Sequence, residues 1–367
     1  MRTLILSANA GQGHNSCARA ICEAFEAHGD VCVIEDTFGL ISRKLSDAIA
    51  KNHEKTYREK PKQSNASYQF LIDHPKLFAR RNIVYAAMCL GIPQISRCIR
   101  EGGYDTVICT HALSAMILTA AIRREKFKLK TAFVATDYAC SPGVNGTELD
   151  VYFLPDEELR PLFTEAGIPD EKMAVTGIPV RSAFAIQQEK NALKARFGIQ
   201  PENRHLLMMC GSMGCGPIPE MLSRIAQELP ENWEISVVCG TNEELLKELQ
   251  NAHGGRSAIH LVGYEEDMPG LLCSADLYLT KPGGLSTAEA VAAGVPMVLV
   301  DAVAGCEENN RTHFVSTGAA ITGETAQEVA EACIALMRDE ERLAAMTEKL
   351  KKADASNAAE RVYQKMK

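Results

Sequence analysis

Two glycines and two hydroxyl side chains stand together in the stretch TKPGGLSTAEAVAAG, between a short apolar run and an alanine-rich segment. This order is typical of a strand that turns sharply into a helix. Unpaired backbone N–H groups and the positive end of the helix dipole point outward at such a junction, and glycine lets a phosphate come close. The pattern predicts an anion site at Gly283, Gly284, Leu285, Ser286 and Thr287, with a tight turn and an ordinary helix cap as the plainer alternative.

A second glycine turn, CGSMG, follows the first apolar run of the same half of the chain and contains Gly211, Ser212 and Gly214. One such turn alone would favour the plainer alternative. Two turns in one predicted domain favour the anion site, because both would present backbone N–H groups to the same ligand.

Three titratable side chains follow predicted strands in the first half of the chain. The stretch GQGH places His14 at the start of a helix, at the carboxyl edge of a sheet, where α/β proteins bind ligands. A histidine there suits general base catalysis, although a plain surface histidine is the simpler interpretation of this residue alone. His111, after VICT, and Asp137, after VAT, lie on the same predicted edge, so either could be the base or could orient His14.

The elements that must position these residues alternate between strand and helix, which favours parallel sheets. In the first half we predict helices at about 15–27 and 113–126, and strands at 3–8, 31–36, YDTVICT, KTAFVAT and VYFLPD, the last of which closes the series. After a charged connector at 187–205, strands are predicted in HLLMMCGS, EISVVCGT, AIHLVGY, DLYLTKP, PMVLVD and AAIT.

The expected fold is therefore α/β, with two facing Rossmann-like domains and a cleft between them. The predicted domains are 1–186, with a basic helical insertion at 42–103, and 187–338. Helices at 339–367 follow and could return to the first domain.

The bulk composition limits the class of protein. The chain has 367 residues, too many for one ordinary core, and its 46% hydrophobic and 23% charged residues are normal for a soluble globular protein. Thirteen cysteines lie scattered without CxxC pairs, which argues for reduced thiols in a cytosol. The first residues are expected to form a buried strand rather than a signal peptide, and no apolar run reaches the roughly 18 residues of a membrane span.

The charge is unevenly distributed along the chain. Residues 42–103 contain 12 Lys/Arg against 5 Asp/Glu, a net charge of +7, so the remainder carries −15 of the total of −8. Nucleic acid is a poor partner for so acidic a remainder, whereas an anionic membrane face suits the basic segment. Arg80 and Arg81 precede a short apolar run and are the predicted membrane contacts; an ordinary packed pair of amphipathic helices is the alternative.

Several stretches, in order, resemble the monogalactosyl- and monoglucosyl-diacylglycerol synthases of glycosyltransferase family 28: SANAGQGH, THALSA, VATDY, VTGIPV, CGSMG and KPGGLSTAEAVAAGVPMVL, followed by GCEENN. The resemblance covers nearly the whole chain. It implies the GT-B architecture, with the donor on the second domain and the acceptor on the first. It also implies inverting transfer of a hexose from a UDP-sugar to a hydroxyl of a lipid such as diacylglycerol, on the inner face of the cell membrane.

On this resemblance the two glycine turns would hold the donor diphosphate. Glu289, in the first helical turn, would accept from the ribose hydroxyls, and the main chain of Tyr264 would hold uracil; a capping acid and an edge loop are the respective alternatives. The stretch CEENN opens another predicted helix near the sugar, so Glu307, Glu308 and Asn310 are candidate contacts to hexose hydroxyls, with helix capping as the alternative.

For the acceptor, the resemblance implies a site at Gly11, Gly13 and His14. It raises His14 to the first candidate for the base, ahead of Asp137 and then His111. No cofactor is expected beyond the UDP-sugar substrate, and no metal, because the sequence has no Asp-x-Asp cluster to hold a bridging cation.

Three other functions compete with this hypothesis. A dinucleotide-dependent oxidoreductase is suggested by GQGHNS, a near miss of G-x-G-x-x-G, with Asp36 about 20 residues further on as a ribose-binding acid. A UDP-sugar 2-epimerase would share the architecture but need no lipid acceptor. A non-catalytic sensor of nucleotide sugars is disfavoured by the intact base candidates.

Overall fold

The computed structural model describes residues 1–59, 69–71, 73–78, 82–185, 188–300, 305–352 and 357–367. The chain divides into two compact units. The first contains Met1–Arg181, Ala304–Asn309 and Asn357–Lys367, and the second contains Ser182–Val303 and Asn310–Ser356. Each unit is built on one six-stranded sheet of parallel strands. The predicted α/β class with two Rossmann-like domains is confirmed.

The first sheet has the strand order β2-β1-β3-β4-β5-β6. Strand β1 pairs with the edge strand β2 and with β3, so that Ile5 lies opposite Ile34 and Ile108. Helices cover both faces of a parallel sheet, which explains why Leu4–Leu6, in the middle of β1, are apolar and buried without polar alternation. The strands are β1 Arg2–Ser7, β2 Val31–Asp36, β3 Thr106–Cys109, β4 Lys130–Val134, β5 Val151–Leu154 and β6 Met173–Val175.

The helices of the first unit connect these strands in the usual crossover fashion. They are α1 Gln12–Ala27, α2 Thr37–Ile41, α3 Arg43–Glu59, α4 Ile83–Cys89, α5 Ile92–Gly102, α6 Ala112–Glu125 and α7 Arg160–Glu165. Helix α1 buries Cys17, Ile21 and Phe25, spaced at four residues, so one face of this helix packs on the sheet.

The second sheet has the order β12-β11-β10-β7-β8-β9. Its strands are β7 Arg204–Met209, β8 Trp233–Val238, β9 Ile259–Val262, β10 Leu277–Thr280, β11 Met297–Leu299 and β12 Ala320–Thr322. The six strands predicted for this half are all present. The helices are α8 Lys190–Arg196, α9 Ile218–Gln227, α10 Glu243–His253, α11 Met268–Ser274, α12 Gly284–Ala293, α13 Gly305–Ser316, α14 Ala326–Met337 and α15 Glu340–Lys352.

The last helix, α16 Ala358–Met366, packs on α1 in the first unit. The Tyr363 ring meets Phe25 edge-on at 5.0 Å between centroids and stacks on His28 at 4.0 Å. The Lys130 ammonium donates to the Met366 carbonyl at 3.1 Å. The end of the chain therefore stabilises the sheet that carries the GQGH turn.

Three details of the predicted elements were wrong. The first sheet does not close with VYFLPD, because Met173–Val175 adds a sixth strand beside β5. Helix α1 begins at Gln12, within the GQGH turn, and not at about residue 15. Helix α12 begins at Gly284, so Glu289 lies in its second turn and not in its first. Both helix starts contain glycine, a poor helix former, so the sequence did not indicate them. Tertiary packing overrides this low propensity.

No helix among the residues that the structure describes is long and apolar enough to cross a membrane.

Candidate active site

The first candidate half-site lies at the carboxyl edge of the first sheet, where β1 and β3 are neighbours. The chain leaves β1 towards β2 on one side and later enters β3 on the other, so this is the point at which the strand order reverses. Open α/β sheets bind ligands at such a crevice. Gly11, with φ 86°, turns the chain from β1 into α1 and brings His14 over the end of β3.

The His14 ring is held by backbone and hydroxyl groups that follow β3 and β4. Its Nδ1 lies 2.8 Å from the Thr110 carbonyl oxygen and 3.2 Å from the Thr136 hydroxyl. A carbonyl can only accept, so Nδ1 carries the proton and Nε2 is the basic nitrogen. Burial lowers the pKa of His14, an effect that the Thr110 bond only partly offsets, so the ring is neutral near pH 7.

His111 lies beside His14 but in a different role. Its Nδ1 accepts from the Leu113 N–H at 3.2 Å and so caps α6, which leaves the proton on Nε2. The two rings meet edge-on with 4.8 Å between centroids. Burial, with a smaller effect from His14, lowers the pKa of His111 to about 3. In this tautomer the His111 ring can donate a hydrogen bond but has no free basic nitrogen.

Asp137 follows β4 at the same edge and is half-buried, so it stays a candidate for the base. Gly13 stands beside His14 in the first turn of α1. Thr110 and Thr136, which orient His14, were missed at the sequence level because 96 and 122 residues separate them from the histidine.

Asp36 is occupied by structural bonds. Its carboxylate caps α2 by accepting from Phe38 N–H at 3.2 Å and Gly39 N–H at 3.1 Å. It also accepts from the Asn9 amide at 3.0 Å and from the Ser46 hydroxyl. A ribose-binding acid needs a carboxylate that faces a ligand, so these bonds weigh against the dinucleotide hypothesis.

The second candidate half-site lies at the carboxyl edge of the second sheet, between β7 and β10, where that strand order also reverses. The CGSMG turn follows β7, with Gly211 at φ 77° and Gly214 at φ 55°. A Cβ at Gly214 would lie 2.3 Å from the Cys239 carbonyl oxygen. One at Gly240 would lie 2.1 Å from the Ser212 carbonyl oxygen. The turns after β7 and β8 therefore pack backbone to backbone, with no space for side chains.

The KPGG turn after β10 leads directly into α12. Gly283 is the residue before the helix, and among the residues that the structure describes no side chain caps the N–H groups there. Thr287 donates its hydroxyl to the carbonyl oxygens of Gly283 and Gly284, each at 3.0 Å. The Thr287 hydroxyl therefore stabilises the turn through these bonds. Ser286 is half-buried, and Leu285 and Gly284 are buried.

Helix α13 carries the CEENN residues. Asn310 is fully buried and donates from Nδ2 to the Pro282 carbonyl oxygen at 2.9 Å, so its amide holds the KPGG turn. Glu307 is buried and Glu308 half-buried. This link between α13 and the turn was not predicted, because the two residues stand 28 positions apart.

The remaining predicted site residues differ in exposure. Tyr264 follows β9 and is 69% exposed, as an edge loop would be. Glu289 is half-buried on α12. Arg80 and Arg81 lie outside the described residues. Within the described ranges, no group of three or more His, Cys, Asp or Glu could hold a metal ion.

Both halves of the chain match known protein families. The family described as monogalactosyldiacylglycerol (MGDG) synthase matches residues 14–180, and the group 1 glycosyl transferases match residues 219–353. A processive diacylglycerol beta-glucosyltransferase of Bacillus licheniformis is 27% identical over 362 residues, which cover 97% of this chain and 92% of the relative.

Several solved structures have a fold similar to that of this chain. The UDP-GlcNAc 2-epimerase of Neisseria meningitidis, bound to UDP-GlcNAc, has a TM-score of 0.66 at 16% identity and covers 100% of this chain and 99% of its own. MurG of Acinetobacter baumannii has a TM-score of 0.64 at 15% identity, with the same coverage of 100% and 99%. Such identities establish architecture and not chemistry. The sequence matches extend over both units: the first half resembles the monogalactosyldiacylglycerol synthases and the second half the group 1 glycosyl transferases, and together they support a diacylglycerol glycosyltransferase of family 28.

Proposed function

We propose that this glycosyltransferase moves a hexose from a UDP-sugar to the hydroxyl of diacylglycerol, with inversion at the anomeric carbon. The observation that carries the proposal is the 2.8 Å contact between His14 Nδ1 and the Thr110 carbonyl oxygen. The His14 Nδ1–H is committed to Thr110, so a neutral and basic Nε2 is available for an acceptor hydroxyl. The naming of the relatives as processive diacylglycerol beta-glucosyltransferases supports the acceptor class.

The chemical step follows from this arrangement. As the acceptor oxygen attacks the anomeric carbon, its proton passes to His14 Nε2. The bond between that carbon and the phosphate oxygen breaks, and its electron pair leaves with UDP. A positioned base contributes typically 10²–10⁴-fold to such a step. His111 stays uncharged beside the protonated His14, because burial lowers the pKa of His111 to about 3, so no second positive charge arises there.

For the donor, we propose that the diphosphate lies on the CGSMG and KPGG turns. The Gly283 N–H donates to the Lys281 carbonyl at 2.8 Å, so the backbone N–H groups of Gly284 and Leu285, at the N-terminus of α12, would bind the diphosphate, and Gly283 would permit its close approach. Ser286 would add its hydroxyl, and Thr287 would act through the turn that it braces. Glu289 and Tyr264 stay the proposed contacts for ribose and uracil, and Glu307, Glu308 and Asn310 those for the hexose.

We also propose that the enzyme works peripherally on an anionic membrane, at its cytoplasmic face. Residues 42–103 carry a net charge of +7, and Leu90 and Phe70 within them are 73% and 52% exposed. Each basic residue near an anionic surface contributes about 1 kcal/mol, so several suffice for reversible binding. Free thiols at all thirteen cysteines agree with a reducing compartment.

Liposome co-sedimentation tests the membrane proposal. Binding to anionic vesicles should exceed binding to neutral vesicles and should weaken with salt. Reversal of Arg80 and Arg81 to Glu, or of the exposed Lys44 and Lys51 on α3, should release the protein. The control is Lys247→Glu on α10 of the second unit. Equal binding to anionic and neutral vesicles would contradict the membrane proposal and favour the alternative that residues 42–103 form an ordinary packed pair of helices.

The transfer reaction is tested with purified protein, a panel of UDP-hexoses and vesicles that contain diacylglycerol. We expect a glycolipid to form only when both donor and diacylglycerol are present. The UDP-sugar 2-epimerase hypothesis, which the fold comparison alone supports, predicts the opposite: an altered sugar nucleotide without any lipid. That result would replace the proposal.

A further inference from the structure

Lys281 occupies the junction of the two glycine turns in the second unit. It is the first residue after β10 and is half-buried. A Cβ built at Gly211 would lie 2.9 Å from Lys281 Cε, 3.6 Å from Cδ and 4.0 Å from Nζ. The lysine stem therefore fills the space that a side chain at position 211 would need, and glycine there makes room for it.

The position of Lys281 is fixed by the strands beneath it. Thr280 lies in register with Met209 across the β7–β10 pair, and its buried hydroxyl donates to the Met209 carbonyl at 2.7 Å. This bond locks the carboxyl ends of the two strands together. The ammonium of the next residue is thereby held over the CGSMG turn, two positions before Gly283.

A donor diphosphate placed on these turns brings about two negative charges, and the leaving UDP gains another as the glycosidic bond breaks. The N-terminus of α12 supplies roughly half of one positive charge. That is too little to balance the diphosphate, whereas one ammonium adds a full charge at the same place. Charge-assisted hydrogen bonds are also about twice as strong as neutral ones.

We infer that Lys281 binds the donor diphosphate and stabilises the charge that develops on the departing UDP. This inference rests on the proposed function, because it needs the diphosphate to lie on the two glycine turns. It adds a cation to a diphosphate site for which the sequence predicted only backbone N–H groups and hydroxyls as ligands. Lys281 thus acts on the leaving group, while His14 acts on the acceptor.

The test is calorimetric titration of the full chain with UDP, UMP and uridine. Lys281→Met keeps the stem that packs on Gly211 and removes the charge; Lys281→Arg keeps the charge. Lys281→Gln, with a polar end, serves if the Met variant does not fold. The matched control is Lys247→Met, the same change at an exposed lysine of α10.

We expect the Met or Gln variant to bind UDP roughly 10- to 100-fold more weakly, the effect of losing one hydrogen bond to a charged group. Uridine affinity should not change, and Arg should restore most of the UDP affinity. UDP binding to the wild type should also weaken more steeply with salt than binding to the variant.

Equal UDP affinity in the wild type and in Lys281→Met would overturn the role of Lys281 and leave the proposed function intact. A wild-type protein that binds no UDP would overturn the proposed function and the inference together. An equal loss of UDP and uridine affinity would also overturn the inference, since it would show that the lysine only supports the turn.

Discussion

Replacing His14 by Asn removes the basic nitrogen but can keep the hydrogen bond that orients the side chain. The Asn amide can overlie imidazole Nδ1 and still donate to the Thr110 carbonyl, which lies 2.8 Å from Nδ1 in the wild type. Nothing in Asn replaces Nε2. We expect kcat to fall by roughly 10²–10⁴-fold, the usual loss for a general base. UDP affinity should change little, because His14 belongs to the first unit and the glycine turns to the second.

The pH dependence supplies a second readout of the same change. Burial holds the pKa of His14 below its ordinary value of 6.5, so the base is lost only when the pH falls through that lowered pKa. The acidic limb of kcat/KM should therefore lie below pH 6.5 in the wild type and disappear in His14→Asn. Initial rates of UDP release between pH 4.5 and pH 8 measure it.

His111→Asn is the matched control. Asn is a strong helix cap and can accept from the Leu113 N–H as His111 does, so α6 should persist while the imidazole is lost. We expect this variant to keep kcat within about tenfold. The reasoning is refuted if His14→Asn keeps wild-type kcat, or if its acidic limb is unchanged. Loss of rate in Asp137→Asn but not in His14→Asn would move the base to Asp137.

Three further predictions concern the scaffold. Gly240→Ala, at φ +59° and with its Cβ 2.1 Å from the Ser212 carbonyl oxygen, should lower the free energy of unfolding by about 1–3 kcal/mol in denaturant titrations, whereas Gly255→Ala meets nothing within 4 Å and should not. Tyr363→Ala should cost about 3–5 kcal/mol in the first unit, because the ring is 2% exposed; a loss below 1 kcal/mol would show that α16 contributes little. Burial lowers the pKa of His205 to about 3, so between pH 6.5 and 3 only the unfolded state takes up its proton, and stability should fall by up to about 1.4 kcal/mol per pH unit as the pH drops; calorimetric scans of His205→Gln should show a shallower dependence.

Local patterns in the sequence predicted the two glycine turns and every strand of the described residues except β6. Continuous apolar runs such as Leu4–Leu6 and Leu277–Leu279 are buried on both faces of the sheet, which is typical of parallel strands covered by helices. Glycine at a strand end likewise has a local cause, since Gly211 and Gly214 both adopt a positive φ. These features depend on neighbours along the chain, so the sequence suffices.

The orientation of the site residues depends on distant partners and could not be predicted. Thr110 determines the tautomer of His14 from 96 positions away, and Pro282 engages Asn310 across 28 positions. The start of α12 at Gly284 moved Glu289 into the second turn, because packing outweighs the low helix propensity of glycine. Lys281 carried no local signal at all, since its place over Gly211 follows from the pairing of β10 with β7.

The most direct measurement of the central claim is the mole ratio of products in one incubation. Purified protein, a UDP-hexose and diacylglycerol vesicles should yield UDP and sugar transferred to lipid in a ratio of one to one, and both should stop together in His14→Asn. Release of UDP without glycolipid, or conversion of the donor to another sugar nucleotide in the absence of diacylglycerol, would contradict a transferase in which His14 Nε2 takes the acceptor proton.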